Sequence, residues 1–233
     1  MEPHLQPVQG GSATSLDYAS QQHRVLRNTY WLLAISLVPT VIGAALGSNL
    51  DFAFMRTSPL LSFFAILAIF YGWIFAIEKN RNSSIGVGLL LGFTLFMGVL
   101  LGPLLQQVLG LANGVRLIML AFGGTAAVFF GMASIASTTK RDLSGLANFL
   151  AVGAIVIMLA VVANAFFANM IAYLVITAAF VLFSSLVILW QVNQIVRGGE
   201  TNYVSATLTL YVSIYNLFSS LLQLLGIFGG ERD

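Results

Sequence analysis

RGGETNYVSATLTLYVSIYNLFSSLLQLLG, residues Arg197–Gly226, is the stretch on which the fold turns. It opens as a glycine turn flanked by charges and becomes an apolar segment long enough to cross a bilayer. Asn202, Ala206, Thr209, Ser213, Asn216, Ser220 and Gln223 follow one another along it at alternating steps of four and three residues. That spacing places them on one seam of a helix, roughly 30 Å tall at ~1.5 Å per residue. Leu208, Leu210, Val212, Leu217 and Leu221 occupy the rest of its surface. A carboxamide facing acyl chains leaves donors unpaired, at a cost of several kcal/mol in hydrocarbon. The seam therefore has to face protein or water, and its helix is expected to stand at the centre of a bundle. Two readings of the seam remain side by side: hydrogen-bonding glue between helices, at ~0.6 kcal/mol per bond, and the lining of a hydrated path for an ion.

The rest of the chain supplies the bundle. Of its 233 residues 58% are hydrophobic and 8% charged, with mean hydropathy +0.93. A soluble domain carries roughly 25% charged residues, so this composition cannot cover a water-facing surface. It predicts an all-α polytopic membrane protein embedded in a lipid bilayer. Six further spans are expected at Thr29–Leu46, Pro59–Ile77, Ile85–Leu105, Leu117–Ser137, Leu146–Phe167 and Ile171–Trp190, before a seventh at Tyr203–Phe228. Pro39 is expected to kink the first, and Gly102–Pro103 to end or bend the third. Asn164 and Asn169 bracket a tight hairpin between the fifth and sixth. Residues 1–28 are rich in Gly, Ser and Gln and lack a signal-peptide pattern. They are read as a mobile water-exposed tail, helical near Tyr18–Arg27, serving as a mere leader or as a handle for a partner. The domain division is thus 1–28 and 29–233.

Basic residues set the orientation. With the N-terminus inside, Arg24, Arg27, Lys79, Arg81, Lys140, Arg141 and Arg197 fall on the cytoplasmic side, against Arg56, Arg116 and Arg232 opposite. The positive-inside rule then places the N-terminus in the cytoplasm and the C-terminus outside. Gly43-x-x-x-Gly47 and Gly88-x-x-x-Gly92 have the spacing that lets helix backbones approach closely, within one subunit or along a homo-oligomer seam.

The chemistry that is missing narrows the function. The chain has no cysteine, and its two histidines, His4 and His23, lie in the tail. No Asp, Glu, Lys, Arg or His falls in the interior of a span, so general acid–base catalysis, proton relays and metal ligation have no groups to use there. Basic residues form no stripe that would hold nucleic acid. The reading is a non-enzyme with no cofactor, no catalytic residue and no metal site.

Helix six offers the seam its partners. Thr177, Ser184 and Gln191 recur every seven residues, with Asn193 and Gln194 beyond them. A glycine of Gly198–Gly199 is suited to a left-handed C-cap. Thr201 or Asn202 is suited to cap helix seven. Arg197 and Glu200 are expected to pair across the turn.

HRVLRNTYWLLAISLV (His23–Val38), GGTAAVFFGMASIASTTKRDLS (Gly123–Ser144) and GGETNYVSATLTLYVSIYNLF (Gly198–Phe218) resemble the bacterial branch of the Bax inhibitor-1 family, from about residue 20 to the C-terminus. Within it they look most like the inner-membrane members that modulate an FtsH-type protease. The resemblance implies seven helices with the seventh surrounded by the others, in a bacterial inner membrane with the C-terminus periplasmic. It also implies a partner, a membrane-bound AAA+ zinc metalloprotease of the FtsH type, which brings its own metal and ATP. Many members of the family carry an Asp on helix six, an Asp on helix seven and a helix-two arginine, which form a pH-sensitive latch in a calcium leak. The matching positions here are Gln191 and Ser213, and Leu60–Ile77 holds no basic residue. Neither side chain titrates near neutral pH, although the two can hydrogen-bond to each other. The leading expectation is therefore a regulator that binds and modulates the protease in membrane protein quality control. The alternative is a calcium or proton leak channel with a degenerate acidic latch.

Overall fold

The computed structural model describes the backbone of residues 11–230, and side chains from Ser20 onward except that of Arg56. Residues 1–10 of the expected tail and Arg232 lie outside the described residues. The elements in order are α1 (Gly11–Gly47), α2 (Ala53–Thr57), α3 (Pro59–Lys79), α4 (Ser84–Leu100), α5 (Gly102–Leu109), α6 (Gly114–Thr138), α7 (Leu146–Phe167), α8 (Met170–Arg197) and α9 (Tyr203–Gly229). No strand occurs among the described residues. Among the described residues seven helices are long and apolar enough to cross a membrane: α1 from Ser20, α3, α4 continued by α5, α6, α7, α8 and α9.

Several boundaries follow from local chemistry. Pro59 occupies the first turn of α3, where its missing N–H costs nothing. Leu101, itself in the helical region, joins α4 to α5, and Pro103 sits in the first turn of α5, so the expected break interrupts the third crossing without ending it. Between α7 and α8 the chain reverses at Ala168, in the left-handed region at φ 48°. Asn164 Oδ1 accepts from the Asn169 N–H at 3.0 Å, and Asn169 Oδ1 accepts from Ala172 N–H at 2.9 Å to cap α8. The two asparagines that bracketed the hairpin in the sequence thus close it.

Two features differ from expectation. α1 has 37 residues and continues upstream through the anticipated boundary at residue 28. At ~1.5 Å per residue it is about 55 Å long, against a hydrocarbon thickness of about 30 Å. Val25 is buried and Leu26 packs against the core, so the stretch just before the expected first span already packs into the bundle. α8 likewise runs to Arg197, seven residues past the expected end at Trp190, because Gln191, Val192, Asn193 and Ile195 are buried against the bundle there.

α9 is the axis. From Asn202 to Ile227 none of its residues is exposed, and Leu208, Leu210 and Leu217, on the sides away from the polar seam, are as buried as the seam itself. It packs against α1, α3, α4, α5, α6 and α8. A helix covered all round is a core helix. α7 is the opposite case. It packs principally on α8, and Leu150 is its one buried residue.

α1 and α4 approach more closely than any ordinary side chain permits. A Cβ built on Gly43 would meet Leu95 O, and one on Gly98 would meet Thr40 O, in each case nearer than 3 Å. Gly47 against Val99 and Gly102 against Gly47 repeat the pattern toward α5. The Gly43/Gly47 pair is therefore spent inside the subunit, while Gly88 meets nothing within 4 Å and is exposed.

Candidate functional site

The polar groups of α8 and α9 divide into three levels, starting at the end of the bundle that carries Lys79, Arg81, Lys140, Arg141 and Arg197, here called the basic end.

At the basic end, hydrogen bonds tie two loops, α3–α4 and α6–α7, to the α8–α9 turn and the helix ends beside it. Gly198 closes α8 at φ 78°, where glycine carries no Cβ penalty. Asn202 caps α9, its Oδ1 accepting from the N–H groups of Val204 and Ser205 at 2.9 and 3.1 Å. Its Nδ2 donates to Asn82 Oδ1 at 2.7 Å and to Arg81 O at 3.2 Å, which fastens the α3–α4 loop. Ser205 Oγ donates to Glu78 Oε2 at 2.9 Å, and Arg81 meets the same carboxylate at 3.3 Å. Asn193, fully buried on α8, accepts from Leu143 N–H at 3.3 Å and donates to Ala136 O at 3.4 Å, holding the α6–α7 loop. In that loop the Ser144 hydroxyl and N–H donate to Asp142 Oδ1 at 2.6 and 2.9 Å. These bonds hold the Asp142 carboxyl below its ordinary value. The expected Arg197–Glu200 pair does not form. Arg197 Nη2 donates to Lys140 O, and Glu200 Oε1 accepts from Asn202 N–H.

The middle level is dry and tightly packed. Tyr211, 2% exposed, shares a 2.8 Å hydrogen bond with Thr40 Oγ1 and donates to Thr94 O at 3.2 Å, so one side chain of α9 holds α1 and α4 together. Its ring packs edge-on against Phe93. Thr207 Oγ1 donates to Tyr203 O at 2.6 Å and to Thr29 O of α1 at 3.3 Å. Neither latch position bonds the other. Ser213 Oγ donates back to Thr209 O of its own helix at 2.8 Å. Gln191, 2% exposed, leaves Nε2 without a partner, and Ser184 Oγ one heptad away is likewise unpartnered. A buried unpaired amide costs about 1–3 kcal/mol, and an apolar group of the same shape avoids that cost. Gln191→Met is therefore expected to raise the denaturation midpoint in detergent, by about 1 kcal/mol. A lowered midpoint would mean that the amide is satisfied.

The third level lies at the far end. A cleft of about 640 Å³ is lined by Gln107, Asn164, Asn169, Tyr173 and Gln223 among others. A second of about 250 Å³ continues inward past Thr177 to Asn216, Ser219 and Ser220, and the two share Asn164, Tyr173 and Gln223. Tyr173 OH donates to Gln223 Oε1 at 2.5 Å across their junction. Asn216, Ser220 and Gln223 of the predicted seam thus face this cleft. Thr209 and Ser213 lie in the packed middle, and Asn202 belongs to the basic-end clamp. Spacing alone drew one continuous ladder, and packing assigns its parts to three environments. Tyr211, Thr207 and Asn193 carry more inter-helix bonds than the seam does. A tyrosine hydroxyl in the middle of a span was the available signal for the first.

Comparison with known proteins agrees with this architecture. The profile of the family described as "Inhibitor of apoptosis-promoting Bax1" matches residues 22–230. An uncharacterized protein of Neisseria meningitidis serogroup A is 48% identical over 212 residues, 90% of this chain and 93% of its own. A protein of Escherichia coli K12 named Modulator of FtsH protease YccA is 42% identical over 211 residues, 91% and 92% of the two chains. A Vibrio cholerae protein named as an uncharacterized membrane protein is 38% identical over 214 residues, 92% and 94% of the two.

Proposed function

The chain belongs to the family described as Inhibitor of apoptosis-promoting Bax1, and from that premise we propose that it is an inner-membrane regulator which binds and modulates an FtsH-type AAA+ zinc metalloprotease. The observation that carries the reading is its 42% identity, across 91% of its length, to a protein named a modulator of that protease. The architecture supports it. The connections between the described helices are short, so the bundle, its loops and its N-terminal segment are the parts through which regulation would act. The basic residues favour the N-terminus in the cytoplasm, the side on which an ATP-driven unfoldase would grip.

The handle in this reading is the segment of α1 and its leader before the bundle begins. Packing of Val25 and Leu26 against the core puts its inner limit near Gln22. Pulling on it would load α1 against α4 and α9, where the glycine interlock and the Tyr211 hydrogen bonds resist extraction. A substrate that is gripped but extracted slowly occupies the protease, and that occupation is the proposed modulation.

Deletion of residues 2–20 tests it. The truncated chain is expected to insert and accumulate normally and to lose most of its effect on protease turnover of a second membrane substrate. Full modulation by the truncated chain would remove the segment from the mechanism. An ion-leak reading would need a path past Ile188, Val192, Leu208 and Leu210, all buried, and that stretch weighs against it.

A further inference from the structure

We propose that the far-end cleft is a blind aqueous vestibule, open on one side of the membrane, which takes water and small uncharged hydrogen-bonding solutes down to the level of Asn216 and no further. The argument begins with depth. Asn216 lies 14 residues above the cap of α9 at Asn202, roughly 21 Å at ~1.5 Å per residue, so the cleft penetrates about half the length of that helix. Its lining carries five carboxamides, Gln107, Asn164, Asn169, Asn216 and Gln223, and no charged group. Acyl chains cannot satisfy those donors and acceptors, whereas water can. At ~30 Å³ per molecule the two chambers have space for more than a few waters.

The same lining selects the solutes that enter with water. Amides and hydroxyls offer hydrogen bonds to a neutral polar solute. With no opposite charge on the wall, an ion would pay its desolvation cost uncompensated. Below the floor Leu208 and Leu210 of α9 and Ile188 and Val192 of α8 are buried, Leu208 at 4% and the other three at 0% exposure. This apolar layer separates the vestibule from the hydrogen-bonded basic end.

The absence of cysteine from the chain makes the test direct. Single variants Gln223→Cys, Ser220→Cys, Asn216→Cys, Thr209→Cys and Ala206→Cys of the full-length protein are probed in native membranes with neutral iodoacetamide. Ala112→Cys and Lys140→Cys, at exposed positions near opposite ends, mark the two sides. Labelling of Gln223→Cys, Ser220→Cys and Asn216→Cys is expected within about tenfold of Ala112→Cys, and that of Thr209→Cys and Ala206→Cys about a hundredfold or more slower, because the reactive thiolate needs water. An uncharged, membrane-impermeant methanethiosulfonate is expected to block the first three only from the side on which it blocks Ala112→Cys. Labelling after denaturation normalises each variant for protein present. Unreactive Ser220→Cys and Asn216→Cys would mean that lipid or protein fills the cleft. Blocking from the Lys140 side, or a reactive Thr209→Cys, would mean that the path runs through. Any of these results overturns the proposal.

Discussion

Gly98→Ala is expected to be strongly destabilising, while the same substitution at Gly88, one helix surface away, is expected to stabilise. The added methyl at Gly98 would lie nearer than 3 Å to the carbonyl oxygen of Thr40 and 3.0 Å from Ala44 N. Both obstacles are backbone, so no rotamer change relieves the clash, and α1 has to move off α4. Overpacking of a dense core costs about 1–3 kcal/mol even where side chains can yield; a backbone obstacle puts this variant at or beyond the upper end. At Gly88 nothing lies within 4 Å, and replacing a mid-helix glycine by alanine gains about 0.5–1 kcal/mol. Unfolding by titration with a denaturing detergent, read as the midpoint shift of the two variants against the parent, checks both signs. Equal behaviour of the pair would refute the interlock.

Tyr211→Ala is the second large effect. The side chain is 2% exposed and reaches α1, α4 and its own helix. In lipid the transfer part of a large-to-small cost drops out, since the unfolded reference is also apolar, but the cavity part stays. At about 24 cal/mol per Å³, the void left by a tyrosine side chain costs on the order of 2–3 kcal/mol. Tyr211→Phe removes only the hydroxyl. Thr40 Oγ1 keeps its 2.8 Å bond to Ser36 O, so the loss there is about 0.5–1.5 kcal/mol. The same detergent titration separates the two, and a Phe variant as weak as the Ala variant would show that the hydrogen bonds dominate the packing.

These two sites show what could be read in the chain. The alternating spacing of uncharged polar residues in α9 specified a central helix, because that seam does not tolerate lipid; the structure covers the helix from Asn202 to Ile227. The paired asparagines 164 and 169 announced a reversal, since each can bond a nearby backbone N–H. The glycines behaved differently. Gly43/Gly47 and Gly88/Gly92 share one spacing, yet the first pair sits against the backbone of α4 and Gly88 stands open. Spacing records which residues share a face and says nothing of what the face meets. For the same reason the seam read as one ladder, though its upper part borders a cleft and its lower part a clamp. The upstream length of α1 was legible only as helix near Tyr18–Arg27, because Gly, Ser and Gln composition argues for a mobile tail, whereas tertiary contacts of Val25 and Leu26 join that helix to the first span. Arg197 and Glu200 looked like partners across a turn, but backbone groups within reach of each compete successfully with an exposed ion pair of small worth.

α7, the helix that leans on a single neighbour, has a consequence for how this sequence can drift. Phe149, Val152, Ile155, Val156 and Leu159 all point outward, so their identity is dictated by oil solubility alone. Almost any greasy replacement would serve. The instructions that segment must preserve are concentrated in its last turn, where an amide and a left-handed alanine decide that the chain comes back.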